Sequence, residues 1–290
     1  MHDAEDAPLL LRPMTREDVA AVAALAREQG RNVAEEEYER FLSLEGARGY
    51  VLTRNEALLG AATVLRYFEH AFLGPVVLRE GGDGLTIALL ARLVEAMQRE
   101  GVSVLEAEAG MAEEPVLARM GFATLRRTLV LERRQGARRG ASDARAGSVG
   151  MRDDHFLDIG ALDAAAVGHG RKQYLMALMR ELPAGARVVE REGEVHGYAL
   201  LRRTPRGYAL GPVVTRAGEA ATAVALVQDA LAAARDASVV ILVPLESPLE
   251  AALEKEGFEP VGSLARMRAG ARPEGGDDAT EWAVGSRMTG

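Results

Sequence analysis

A long internal repeat constrains this chain more than any other feature of its sequence. Gly74-Pro75-Val76-Val77 recurs as Gly211-Pro212-Val213-Val214, an offset of 137, and Arg79 falls on Arg216 at the same offset. Gly121-Phe122 recurs as Gly257-Phe258 at an offset of 136, so register slips by one residue across two further elements. A short motif alone would be chance, but a match that holds through a strand, a long helix, a second strand and a short helix marks a duplicated domain. The 290 residues fit two domains at about 150 residues each. Arg133–Gly147 is rich in Arg, Gly, Ala and Ser without apolar periodicity. The expected layout is therefore a first domain over 1–134, a linker over 135–147 and a second domain over 148–290. Five arginines in the connector read as a solvated charge run rather than an anion-binding patch.

Both halves show the same element order, βααβββαβαβ. In the first, Leu9–Leu11 is a strand, Thr15 caps a helix with Asp18 three residues on, and Gly30 closes it. A second helix covers Ala34–Leu44. Tyr50–Thr53 and Leu59–Leu65 form a hairpin around Asn55-Glu56, and Phe72–Leu78 is a fourth strand. Leu85–Glu100 is a long helix, Val102–Ala107 a strand, Pro115–Met120 a short helix and Thr124–Glu132 the last strand. The second half repeats this from Asp154 to Met267, and Trp282–Val284 is short and apolar enough to add a strand to the second sheet. The pattern predicts a mixed α/β fold with a largely antiparallel sheet, not a doubly wound one.

Charge and composition exclude several function classes. Lys+Arg 35 against Asp+Glu 43 leaves a net charge of −8, whose field repels nucleic acid and anionic membranes alike. Cysteine is absent, which removes disulfides, thiolate metal ligands and thiol nucleophiles. The five histidines show no paired spacing, so no metal site is expected, and no serine sits in a G-x-S-x-G elbow. The start MHDAED has neither a basic nor an apolar segment, and a cytoplasmic chain is expected. Tyr174, Met176 and Met179 lie at helical spacing and read as core.

The densest chemistry lies in Val76-Val77-Leu78-Arg79-Glu80-Gly81-Gly82-Asp83-Gly84-Leu85. A strand ends, glycines follow and a long helix begins, which sets free N–H groups and the helix's partial positive charge against any ligand there. Such a turn suits a pyrophosphate, and equally serves as a plain tight connection. Arg79-x-x-Gly82-x-Gly84 after a fourth strand, with Gly121-Phe122 after a short helix, resembles the GNAT acetyltransferases. The second half, with HGYALLRR, ALGPVV and EGFEPVGSLARM, resembles the C-terminal domain of bacterial tandem-GNAT proteins.

This resemblance implies two GNAT-like domains and acetyl-CoA as cosubstrate. Its pyrophosphate would rest on Arg79, Gly81, Gly82, Asp83 and Gly84, with Leu85 and Thr86 opening the helix. The pantetheine arm would pair along Val76, Val77 and Leu78. The thioester would lie where the fourth and fifth strands splay, attacked by an amine of a small molecule or peptide. Three departures stand out. Aligning by the helix rather than the motif puts Gly81 at the Arg position and Gly84 at the first glycine. In the second half Glu219 replaces the key glycine, so that loop is degenerate and repels a diphosphate. The tyrosine that protonates the departing thiolate is replaced by Leu117 and Leu253.

Candidates for the base are Glu69 and His70 before the fourth strand, and Glu106 and Glu108, which share one face of the fifth. Each also reads as a surface carboxylate or packed ring, and Tyr67 is a further candidate acid. Two functions follow: an N-acetyltransferase with its chemistry in the first domain, or a non-catalytic tandem module that binds an acyl-CoA or a protein partner. Neither needs nucleic acid, a membrane or a metal, and a homodimer fits either. A dinucleotide-binding dehydrogenase fails, because its glycines belong after the first strand.

Overall fold

The computed structural model describes residues 8–79, 83–137, 147–271 and 280–290. The chain divides into two compact units. The first comprises the chain up to Leu125 together with Ala265–Ala271 and Arg287–Gly290; the second comprises Arg126–Leu264 and the segment ending at Ser286. This departs from the expected division at 134, and most of the expected linker, 138–146, lies outside the described residues.

The first unit holds β1 (Leu10–Pro13), α1 (Val19–Glu28), α2 (Glu35–Leu42), β2 (Ala47–Arg54), β3 (Ala57–Tyr67), β4 (His70–Leu73), β5 (Val77–Leu78), α3 (Asp83–Arg99), β6 (Val104–Ala109) and α4 (Glu114–Arg119). Strands run in the order β1-β2-β3-β4-β6, with β5 also on β3. All pairs are antiparallel except β4 with β6. Local sequence explains much of this. Asp18 and Thr15 form the anticipated capping box, and Asn55 and Glu56 make the hairpin turn with φ of 49° and 65°. The expected single strand Phe72–Leu78 is two strands, because Gly74-Pro75-Val76 bulges out between them while the Gly74 N–H still bonds the Thr63 carbonyl at 2.8 Å. A Cβ on Gly74 would collide with the Thr63 hydroxyl, so the bulge requires glycine.

The second unit holds β7 (Ala123–Arg133, from Arg126 on), β8 (Ser148–Gly150), α5 (Phe156–Val167), α6 (Lys172–Glu181), β9 (Ala186–Arg191), β10 (Glu194–Thr204), β11 (Gly207–Thr215), α7 (Ala220–Ala234), β12 (Val239–Pro244), α8 (Leu249–Lys255), the first part of β13 (Glu259–Ala269) and β14 (Glu281–Ala283). Its order is β8-β9-β10-β11-β12-β7, and β14 pairs with β11. The apolar segment at Trp282 thus adds the strand its composition suggested.

The last strand of each half is exchanged. β7 pairs with β12, and Ala265–Ala269 of β13 pairs with β6. In that register Arg266 faces Glu108 and Arg268 faces Glu106. At the repeat offset of 136, the β7 residues equivalent to Arg266 and Arg268 are Val130 and Glu132. Had β7 turned back onto β6 in the same register, Glu132 would have met Glu106, and like charges directly opposite destabilise a sheet. On β12, Val130 instead faces Leu242.

Candidate active site

In the first unit, β4 and β6 stay paired through Leu73 and Ala107, after which the Gly74 bulge draws the strands apart. The gap encloses a cavity with room for about one water (≈ 10 Å³), walled by Gly74, Pro75, Val76, Ala107, Glu108 and Glu113 among others. Glu113, just ahead of α4, is buried, and its carboxylate gathers four donors. The Val76 N–H lies at 2.9 Å and the Gly110 N–H at 2.6 Å; the Arg31 and Arg287 guanidiniums lie at 3.4 and 2.6 Å. Burial alone would favour its neutral form, but the two arginines and two N–H groups outweigh this and lower its pKa. Arg31 also donates to the Val76 carbonyl at 2.7 Å, and the Gln29 amide to that of Leu78. The strand edge that the resemblance reserves for pantetheine is thus held by the protein's own side chains.

Behind this edge α3 begins at Asp83, with Gly84 exposed and Leu85 and Thr86 half-buried. Gly81 and Gly82 lie outside the described residues, as does the Asp83 side chain. Arg79 points to the Leu58 carbonyl (3.3 Å) and to Glu28 (3.5 Å) across an exposed surface. Val76 and Val77 are buried in the core, and Leu78 packs at its margin.

The four candidate bases separate. Glu69 is exposed at the β3–β4 turn, and His70 starts β4, four residues or about 13 Å along the strand from Gly74. Glu106 and Glu108 are 1% and 2% exposed and face β13. Glu106 is paired with Arg266 and with Arg268 (2.5 Å), and lies 3.7 Å from His70. Burial would raise Glu106, yet Arg266, His70 and Arg268 lower it to about 2. Arg266 also reaches Glu108 at 3.4 Å and stacks on Phe72, 4.7 Å from the ring centroid. Glu106 is therefore a structural anion, too weakly basic and too enclosed to take a proton from a substrate. The residues at the gap that sequence reasoning did not single out are Arg31, Glu113 and Arg287. None stands in a motif, and only the fold gathers them. Leu117, where a tyrosine was sought, is buried beside the cavity.

In the second unit the equivalent gap is closed by backbone. β14 lies along β11, setting Ala283 against Val213 and Glu281 against Val214. The Val284 N–H bonds the Leu242 carbonyl of β12 at 2.9 Å, and the Trp282 indole N–H donates to the Thr215 hydroxyl at 2.7 Å. Glu281 continues into a buried network with Arg126 (2.6 Å) and Arg171 (3.8 Å), and Arg171 and Tyr198 both hold Asp163. Glu219, at the position of the missing glycine, is tied to His196, Arg191 and Thr222. Tyr174 and Met179 are core residues.

Residues 159–280 match the family model of the acetyltransferase (GNAT) domain. That segment makes up less than half of the chain. Over those residues the chain is similar in sequence to GNAT acetyltransferases. No curated protein matches it. Among solved structures, a putative acetyltransferase from Pyrococcus horikoshii superposes with a TM-score of 0.80 at 19% identity, covering 97% of this chain and 96% of that one. A GCN5-related N-acetyltransferase from Sphaerobacter thermophilus gives 0.66 at 17% identity, covering 94% and 98%. A tandem GNAT protein from the clavulanic acid pathway gives 0.64 at 17%, covering 92% and 100%. The fold over the whole length is the tandem GNAT fold. Among the described residues no helix is long and apolar enough to cross a membrane.

Proposed function

We propose that the protein is an N-acetyltransferase whose acetyl-CoA enters the first unit, although the family model matches the second half of the chain. One observation carries this reading. The gap in the first unit retains a cavity and its strand edge is held by side chains, whereas the edge in the second unit is taken by the backbone of β14. Glu113, Arg31 and Gln29 leave Val76 and Leu78 by rotating about single bonds, but emptying the second unit means stripping a hydrogen-bonded strand with a buried tryptophan. The N-terminus of α3 would meet the diphosphate, and Leu90 and Leu117 give the gap an apolar wall. Acetyl-CoA supplies a thioester carbon on which an amine forms a C–N bond as the C–S bond breaks, the nitrogen's proton passing to solvent and the thiolate leaving. Leu117 offers no acid, so a slow turnover is expected, a positioned acid being worth roughly 10²–10⁴-fold.

Gly84→Glu tests the site. A Cβ there meets open space in the first turn of α3, so the fold is spared while a carboxylate is set against the diphosphate. Acetyl-CoA at about 100 times Kd should stabilise the unaltered chain by about 2.7 kcal/mol, several degrees in Tm, and the variant not at all. A shift that survives Gly84→Glu overturns the placement. A shift without CoA thiol release across amines would favour a module that binds without turnover.

A further inference from the structure

Arg287 reaches the first unit's gap, and the three residues after it pack in the same unit. The Arg287 guanidinium bonds the Glu113 carboxylate at 2.6 Å and the Glu108 carbonyl at 3.0 and 3.2 Å, and both acceptors belong to residues that wall the cavity. Met288 is buried among Val19, Tyr38, Phe41 and Phe72. The Tyr67 hydroxyl donates to the Thr289 carbonyl at 2.9 Å, and Gly290 packs so closely on the Phe72 ring that a Cβ would lie 2.9 Å from it. A short peptide is thus seated as a ligand would be, with its cation on the Glu113 carboxylate at the cavity.

We propose that Arg287–Gly290 is an internal pseudosubstrate of this unit: it closes the acceptor groove until displaced by an acceptor that carries a cationic group to Glu113. The inference rests on the first unit being the site of transfer. Withdrawal is chemically feasible because Glu113 keeps the Gly110 N–H and Arg31 when Arg287 leaves, even after pantetheine takes the Val76 N–H, so no carboxylate is orphaned. A replacement must restore the charge-assisted bond that Arg287 takes with it, which selects a second cationic group on the acceptor over a neutral one. The favoured acceptor class is therefore a diamine or a basic peptide.

The test uses the chain ending at Ser286 and the peptide Arg-Met-Thr-Gly. Calorimetry should show one saturable site for the peptide on the shortened chain, lost when the peptide's Arg is replaced by Gln or the protein carries Glu113→Gln. With acetyl-CoA, the shortened chain should acetylate an aliphatic diamine with kcat/KM at least tenfold above the full chain, and the peptide should compete with the diamine. Absence of peptide binding to a shortened chain that melts cooperatively overturns the proposal. If shortening unfolds the chain, Arg287→Gln in the full chain must bind the diamine at least tenfold more tightly, and unchanged binding overturns it. Peptide binding reads the groove alone and the acetyl-CoA melting shift reads the site of transfer, so the two fail separately.

Discussion

At the residue scale, the two carboxylates of β6 that looked like bases are paired with arginines of β13. Glu106 is the sharpest case, because its pKa lies near 2 against an ordinary 4.5. A group lowered on folding contributes stability that is complete above its unfolded value and lost as pH falls through its folded one. Glu106 thus supports the first unit above about pH 4.5 and ceases to between there and about 2, a contribution of about 3 kcal/mol. Urea midpoints measured from pH 6 to 2.5 should fall steeply over that window. Arg266→Leu should cost about 3 kcal/mol at pH 7, since it leaves a buried carboxylate with Arg268 as its remaining arginine. An unchanged urea midpoint would mean the pair is not what holds β13 on β6.

At the scale of elements, two gaps of common origin have met different fates. In the first unit Glu113 and Arg31 sit on Val76; in the second, β14 takes the same strand edge with backbone hydrogen bonds. Trp282 on β14 is the chain's single tryptophan and is buried, so its fluorescence reports on that element alone. If acetyl-CoA enters the first unit, tryptophan emission should stay at its buried, blue wavelength through saturation. A red shift that tracks binding would show β14 leaving and would move the site to the second unit.

At the scale of the whole molecule, exchange of β7 and β13 makes each unit depend on the other half of the sequence. Residues 1–134 alone carry Glu106 and Glu108 without Arg266 and Arg268. That fragment should fail to melt cooperatively and should aggregate through the open edge of β6. A chain cut between residues 138 and 146 should keep its two pieces together in gel filtration, because the exchanged strands are paired outside the cut. A monodisperse, cooperatively melting 1–134 fragment would contradict this.

The sequence alone determined the duplication, the order of elements, the Thr15–Asp18 cap, the Asn55-Glu56 turn and the added strand at Trp282. These depend on periodicity, caps and turns that act over a few residues. Tertiary structure decided which sheet each last strand joins, and turned Glu106 and Glu108 from proton acceptors into ion-pair partners. It also brought Arg31, Glu113 and Arg287 to one cavity. Those outcomes depend on pairings between residues more than 80 and up to 179 positions apart. Side-chain charge and burial settle such pairings only when the edges meet, and no local pattern in the chain records which edges will.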